Sequence, residues 1–381
     1  MKHAKLSASG SKKWLNCPLS VKLESKIPNE SSTYAEEGTK AHELSELKLR
    51  RKLNLIGNKV YADELSKLSF DDEMDKYTDY YCDAVLGIVY KYDLNYSMVK
   101  LEERVDFSPW VIEGFGTSDV IVISNNVLEI IDLKYGKGVL VSAENNPQLM
   151  LYALGVLNDY GYLYNIEKVI MTIVQPRLDN ISSFSISIPE LLEWGKDVRV
   201  RASKAYNGEG ECVVGNHCDD GFCRARAICK AYADNKLEIA KHEFKDPEEL
   251  DVNDLSDILS KIDKLVAWGN IVKKYALNQA LDGVTINGYK LVEGRSNRAY
   301  GVDESKIASI LISNGYDEHE IYEKSIKSVS SMEKWLGKNK FKSILGELVI
   351  KTPGKPTLVP VDDPRQEFNS AIKDFNIYKR S

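Results

Sequence analysis

Residues 115–134 read FGTSDVIVISNNVLEIIDLK, two β-rich runs (115–123 and 127–134) separated by Ser124-Asn125-Asn126. Polar residues between two such runs predict a tight hairpin turn, so the runs pair as antiparallel strands. Side chains alternate between the faces of a strand, which puts Asp132 and Lys134 on one face. The hairpin also brings Asp119 and Asp132 to neighbouring positions. Two carboxylates there suit a hard divalent cation such as Mg²⁺, and an adjacent ammonium suits the charge that develops on a phosphate under attack. The competing reading is an exposed strand with an incidental Asp-Leu-Lys.

Outward from the hairpin, Asn146-Pro147 supplies a helix N-cap followed by proline at the first helical position, opening a helix to about residue 156. Gln148 and Tyr152, four apart, share a face of it. Upstream, residues 31–51 predict a helix with Ala41, Leu44, Leu47 and Leu49 as its buried side. A second follows over 73–92, where Tyr77, Tyr81, Ala84, Val85, Ile88 and Tyr92 recur at three-or-four spacing. The period then falls to two over 99–107. Two more strands (168–174, 183–188) and a helix (189–206) come after. This order predicts an α/β domain with one mixed sheet flanked by helices. His42 sits on the first helix. In a chain with 5 histidines, one near a two-carboxylate site is a candidate metal ligand.

At 381 residues the chain has room for about two or three domains. No run approaches the ~18 apolar residues of a membrane helix, and the first residues lack a signal peptide's apolar stretch, so a cytoplasmic protein without membrane contact is expected. Net charge is -6, which excludes a histone-like basic character. Charge is uneven: residues 1–60 carry twelve basic and six acidic side chains, and 324–355 carry eight lysines and two glutamates. Such local surfaces suit phosphates or are solvated helix faces. A long helix over 253–281 and strands over 283–300 and 348–359 predict a smaller C-terminal α+β domain, with the boundary near residue 235. Three cysteines within twelve residues (Cys218, Cys223, Cys229) point to a metal or cluster site rather than a disulfide framework.

Lesser candidates remain. Gly136-Lys137-Gly138 lacks the spacing of a phosphate-binding loop and instead lets the chain approach DNA beside the site. Arg177, in Gln175-Pro176-Arg177, is either a turn residue or a DNA-phosphate contact. Arg295 and Arg298 suit a phosphate contact or a surface ion pair.

The ordered set His42, Asp119, Asp132, Lys134, Gln148 and Tyr152 resembles the PD-(D/E)XK nuclease superfamily in its RecB-type branch. The resemblance implies a restriction-endonuclease-like core over 1–235 and an accessory domain over 236–381. It implies Mg²⁺ or Mn²⁺ held by His42, Asp119, Asp132 and a main-chain carbonyl, with Lys134 catalytic and Gln148 and Tyr152 contacting DNA. Leu6-Ser7-Ala8-Ser9-Gly10-Ser11, Trp14-Leu15-Asn16-Cys17-Pro18, the segment from Gly288 to Arg298, and Pro353-Gly354-Lys355-Pro356-Thr357-Leu358 are similar to a phage and prophage family, domain of unknown function 2800. A metal-dependent DNA exonuclease of phage replication or recombination is the function implied, with DNA and a phage single-strand-binding or annealing protein as partners. A non-catalytic DNA-binding or assembly protein on the same scaffold is the alternative.

RecB-type nucleases with an iron-sulfur cluster place one cysteine before the core and three after it. Cys17, Cys218, Cys223 and Cys229 fit that order and would suffice for a 4Fe-4S cluster. The gap from Cys218 to Cys223 departs from the shorter family spacing. This leaves open a local Zn²⁺ site on Cys212, Cys218, Cys223 and Cys229, or free thiols. Cys82 reads as core.

Overall fold

The hairpin forms as expected. Strand β2 (Phe115–Ser124) pairs antiparallel with β3 (Val127–Leu133), from Ser124 opposite Val127 to Val120 opposite Ile131. Asn125 turns the corner at φ 53, a left-handed conformation that asparagine tolerates. The computed structural model describes residues 4–28, 33–94, 97–238, 248, 250–289, 304–313 and 329–349. Strand β1 (Ser97–Asp106) lies antiparallel to β2, β4 (Lys168–Gln175) parallel to β3, and β5 (Asn180–Ser187) antiparallel to β4. The result is a five-stranded mixed sheet in the order β1-β2-β3-β4-β5.

Preceding the sheet are α1 (Ser11–Asn16), α2 (Ser20–Glu24), α3 (Thr33–Lys52), α4 (Asn58–Leu65) and α5 (Asp72–Val89). The parallel crossover runs through α6 (Pro147–Tyr160), and α7 (Ile188–Asn207) follows β5. The short α8 (Asn216–Asp219) and α9 (Lys230–Lys236) and the long α10 (Val252–Leu281) come next. Helices flank the sheet on both faces because its central strands are apolar on both sides. Ile121, Ile123, Leu128, Ile130, Met171 and Ile173 pack with α1, α6 and α7. Val120, Val122, Ile131, Leu133 and Val174 pack with α5 and with Leu49 of α3, where Cys82 is buried as expected. Each such side chain contributes roughly 1.5–3 kcal/mol on full burial.

Helix α3, which carries His42, is tied to α5 by a buried cation. Lys48, 5% exposed, pairs with Asp75 at 2.7 Å and Asp79 at 3.1 Å and donates to Thr78 Oγ1 at 2.9 Å. The amino-terminal segment returns to the cysteine-rich stretch. Glu24 Oε1 accepts from Lys13 Nζ at 2.8 Å and from the Arg224 backbone N–H at 2.8 Å.

The chain divides into two units, 1–291 and 292–381, where a boundary near 235 was expected. Helix α10 belongs to the first because it packs on the cysteine-rich stretch, with Trp268 Nε1 donating to the Arg226 carbonyl at 3.3 Å. Residues 283–289 form turns and irregular backbone rather than the start of a strand. In the second unit the described residues form α11 (Glu304–Ser313), α12 (Val329–Leu336) and α13 (Lys338–Leu345). The expected strand positions 290–300 and 350–359, with Arg295 and Arg298, lie outside the described residues. Among those described, no helix is long and apolar enough to cross a membrane.

Candidate active site

The site lies where β3 ends, against the middle of β1 and β2 and beside α3 and α6. Continuing the β2–β3 register one step beyond Val120 and Ile131 sets Asp119 opposite Asp132. Asp119 Oδ2 accepts the Leu133 backbone N–H at 2.7 Å and lies 3.3 Å from His42 Nδ1. Burial alone would lower the His42 pKa, but the charge and hydrogen bond of Asp119, with Asp132 and Glu102 beyond, outweigh it and raise it to about 9. Burial likewise opposes ionisation of Asp119, yet His42 and the Leu133 N–H hold its carboxyl below the usual range.

Asp132, 2% exposed, is held from two sides. Lys134 Nζ lies 2.7 Å from its Oδ2, and Gln148 Nε2 donates to its Oδ1 at 2.9 Å. Burial, joined by the charge of Asp119, pushes this carboxyl up, against the pull of Lys134. The Gln148 amide joins the parts, since its Oε1 also accepts from Lys134 at 2.9 Å and its Nε2 reaches the Tyr152 hydroxyl at 3.1 Å. The predicted cap sets this amide in place: the Asn146 side chain accepts from the Gln148 and Leu149 backbone N–H groups, with Pro147 at the first turn.

His42, Asp119, Asp132, Lys134, Gln148 and Tyr152 therefore converge. Their roles differ in part from those expected. Tyr152 is buried, its ring against Gly116, where a β-carbon would come within 2.8 Å of it. It supports Gln148 from within the core. Arg177 is engaged within the protein. It stacks on Tyr135 at 4.8 Å and pairs with Glu37 at 3.0 Å and Glu73 at 3.1 Å, joining α3 and α5 to the end of β4.

One site residue escaped the sequence reading. Glu102 lies in β1 at φ 47, and the regular pairing skips it between Leu101 opposite Val120 and Glu103 opposite Ser118. Its carboxylate joins His42 and Asp119, with ligand atoms within 4.8 Å of one another. Burial, then the charge of Asp119, raises its pKa to about 7. A left-handed non-glycine residue inside a strand costs energy and marks a functional position more often than a packing one. One imidazole nitrogen and two clustered carboxylates could hold a divalent cation such as Mg²⁺ or Mn²⁺.

A second site is separate in the fold. Cys17 meets Cys212, Cys218, Cys223 and Cys229 around one small cavity, with His217 beside them. Burial raises the thiols of Cys212 to about 12 and Cys223 to about 11. All five are free thiols. The set includes Cys17, which the local zinc reading left out.

Fold and site define a mixed α/β protein with an imidazole, carboxylates and an ammonium gathered at one end of its sheet. The chain belongs to the family described as "Protein of unknown function (DUF2800)", whose model matches residues 3–366, as its terminal motifs indicated. The chain is also similar to the one described as "Crystal structure of SSO0001", at 14% identity over 56% of this chain and 95% of that one. The TM-score of that match is 0.25, too low to carry an argument.

Proposed function

We propose that this protein is a metal-dependent DNA nuclease with a restriction-endonuclease-like core. The observation that carries the reading is the Lys134–Asp132–Gln148 unit set beside the His42–Glu102–Asp119 cluster. His42, Glu102, Asp119 and Asp132 would hold Mg²⁺ or Mn²⁺. When bound, the ion supplies an acidified water and neutralises charge on the scissile phosphate.

The chain's own groups do the rest. His42 releases its proton to become a ligand. Gln148 fixes Lys134 so that its ammonium, 27% exposed, faces outward to orient a water or hold a phosphate oxygen. Asp132 keeps that ammonium in place through Oδ2, while Gln148 holds its Oδ1. Cys17, Cys218, Cys223 and Cys229, which line one cavity, would hold a 4Fe-4S cluster. Cys212 is the spare thiol on the same cavity. An exonuclease acting in phage replication or recombination, beside a single-strand-binding or annealing protein, is the setting that the family resemblance suggests.

The test is digestion of end-labelled single- and double-stranded DNA with and without Mg²⁺ or Mn²⁺. Metal-dependent products support the reading. Tight DNA binding with no cleavage under any metal would instead mark a non-catalytic DNA-binding or assembly protein.

A further inference from the structure

The loop between Lys134 and Gln148 has both its ends in the site, and residues 136–140 are exposed without interruption. Leu140 is 69% exposed and Val139 39%, with Lys137 beside them. These bare apolar side chains stand on a loop that is otherwise well tied down. The ties come from beneath. Gln175, 1% exposed, donates to the carbonyls of Gly136 at 2.9 Å and Val139 at 2.8 Å and accepts the Val141 N–H at 3.2 Å. Asn180 donates to the Val141 carbonyl at 3.0 Å, and the Ala143 N–H donates to Ser182 Oγ at 3.0 Å. Gly136 and Gly138 answer no need of the chain itself. A β-carbon on either would meet open space, and neither backbone is left-handed. Glycine there lets something outside the chain come close.

We propose that this loop is a rigid wedge for the end of a DNA duplex: Leu140 packs against the terminal base pair and unstacks it, and Lys137 holds the phosphate of the strand led toward Lys134. Apolar wedges that part base steps, paired with cations on the backbone, are a general device of DNA-binding proteins. The proposal rests on the nuclease reading for its substrate. It concerns strand separation, which is measured apart from cleavage.

The probe is a blunt duplex with 2-aminopurine at its terminal pair, mixed with the full chain carrying Lys134→Ala so that no cutting intervenes. Fluorescence should rise on binding as the base unstacks. Adding Leu140→Ser should cut that rise by about fivefold or more while single-strand affinity stays within about twofold, as loss of a wedge without loss of phosphate contacts requires. Lys137→Ala should weaken binding to duplex and single strand alike and reduce the salt dependence. An undiminished rise with Leu140→Ser, or duplex binding with no rise at all, overturns the wedge. Cleavage by the unmodified chain, assayed in parallel, reports on the nuclease reading independently.

Discussion

Gln148 Nε2 donates to Asp132 Oδ1 at 2.9 Å while the other end of the same amide accepts from Lys134 at 2.9 Å, so one side chain fixes the site's anion and its cation together. Gln148→Leu would strip both of a partner and leave the Tyr152 hydroxyl without its donor. Chemical denaturation should show a loss of about 1–3 kcal/mol, the scale of a buried polar group left unsatisfied. Turnover should fall about 10–100-fold with KM little changed, because the amide orients Lys134 and does not hold substrate. Unchanged turnover in a folded variant would remove Gln148 from the site.

The residues forming this relationship were legible because each is fixed by local rules. The Asn146-Pro147 cap sets where α6 begins and hence where Gln148 points. The turn at Ser124-Asn125-Asn126 sets the register that brings Asp119 opposite Asp132. Glu102 was illegible because its role comes from a left-handed backbone in mid-strand, which a glutamate does not announce. The partners of Arg177 were illegible because Glu37 and Glu73 lie more than a hundred residues away, and the burial of Tyr152 because four-residue spacing does not distinguish a core-facing hydroxyl from an exposed one. The helix at Asn58–Leu65, which has no buried residue, carried too weak an apolar pattern to be foreseen.

Metal binding should depend steeply on pH. His42 titrates near 9 and Glu102 near 7 in the metal-free site, and both must be unprotonated to act as ligands. Mn²⁺ affinity should rise about tenfold per pH unit between pH 7 and 9 as one proton is displaced, more steeply below pH 7, and level off above pH 9. Calorimetry in buffers of different ionisation enthalpy counts the released protons. No release at pH 8 would take His42 out of the ligand set.

Arg177→Ala should act on stability and not on DNA. Its guanidinium, 7% exposed, joins Glu37 and Glu73 and stacks on Tyr135. The expected cost is about 1–3 kcal/mol, read as an earlier denaturation midpoint. DNA affinity per folded molecule should stay the same; a selective loss of affinity would restore the phosphate contact.

Because Cys17 meets the 212–229 stretch across nearly the whole first unit, a shared cluster closes a loop of some 200 residues. Closure of this kind stabilises by several kcal/mol at most. Anaerobically purified protein should be brown and hold about four irons, and Cys17→Ser should lose them. Limited proteolysis should then cut within residues 1–30 only in the stripped protein. Equal protection of both forms would refute the staple.

In the proposed nuclease, Lys134 completes a metal-dependent cleavage site whose ion it does not hold. The most direct measurement compares the unmodified chain with Lys134→Ala in one Mn²⁺ titration, following both metal affinity and digestion of end-labelled DNA. The predicted result is unchanged metal affinity with cleavage slowed about 10²–10³-fold, the scale of one lost charge-stabilising group. Equal cleavage by the two chains, or loss of metal affinity in proportion to loss of activity, would contradict it.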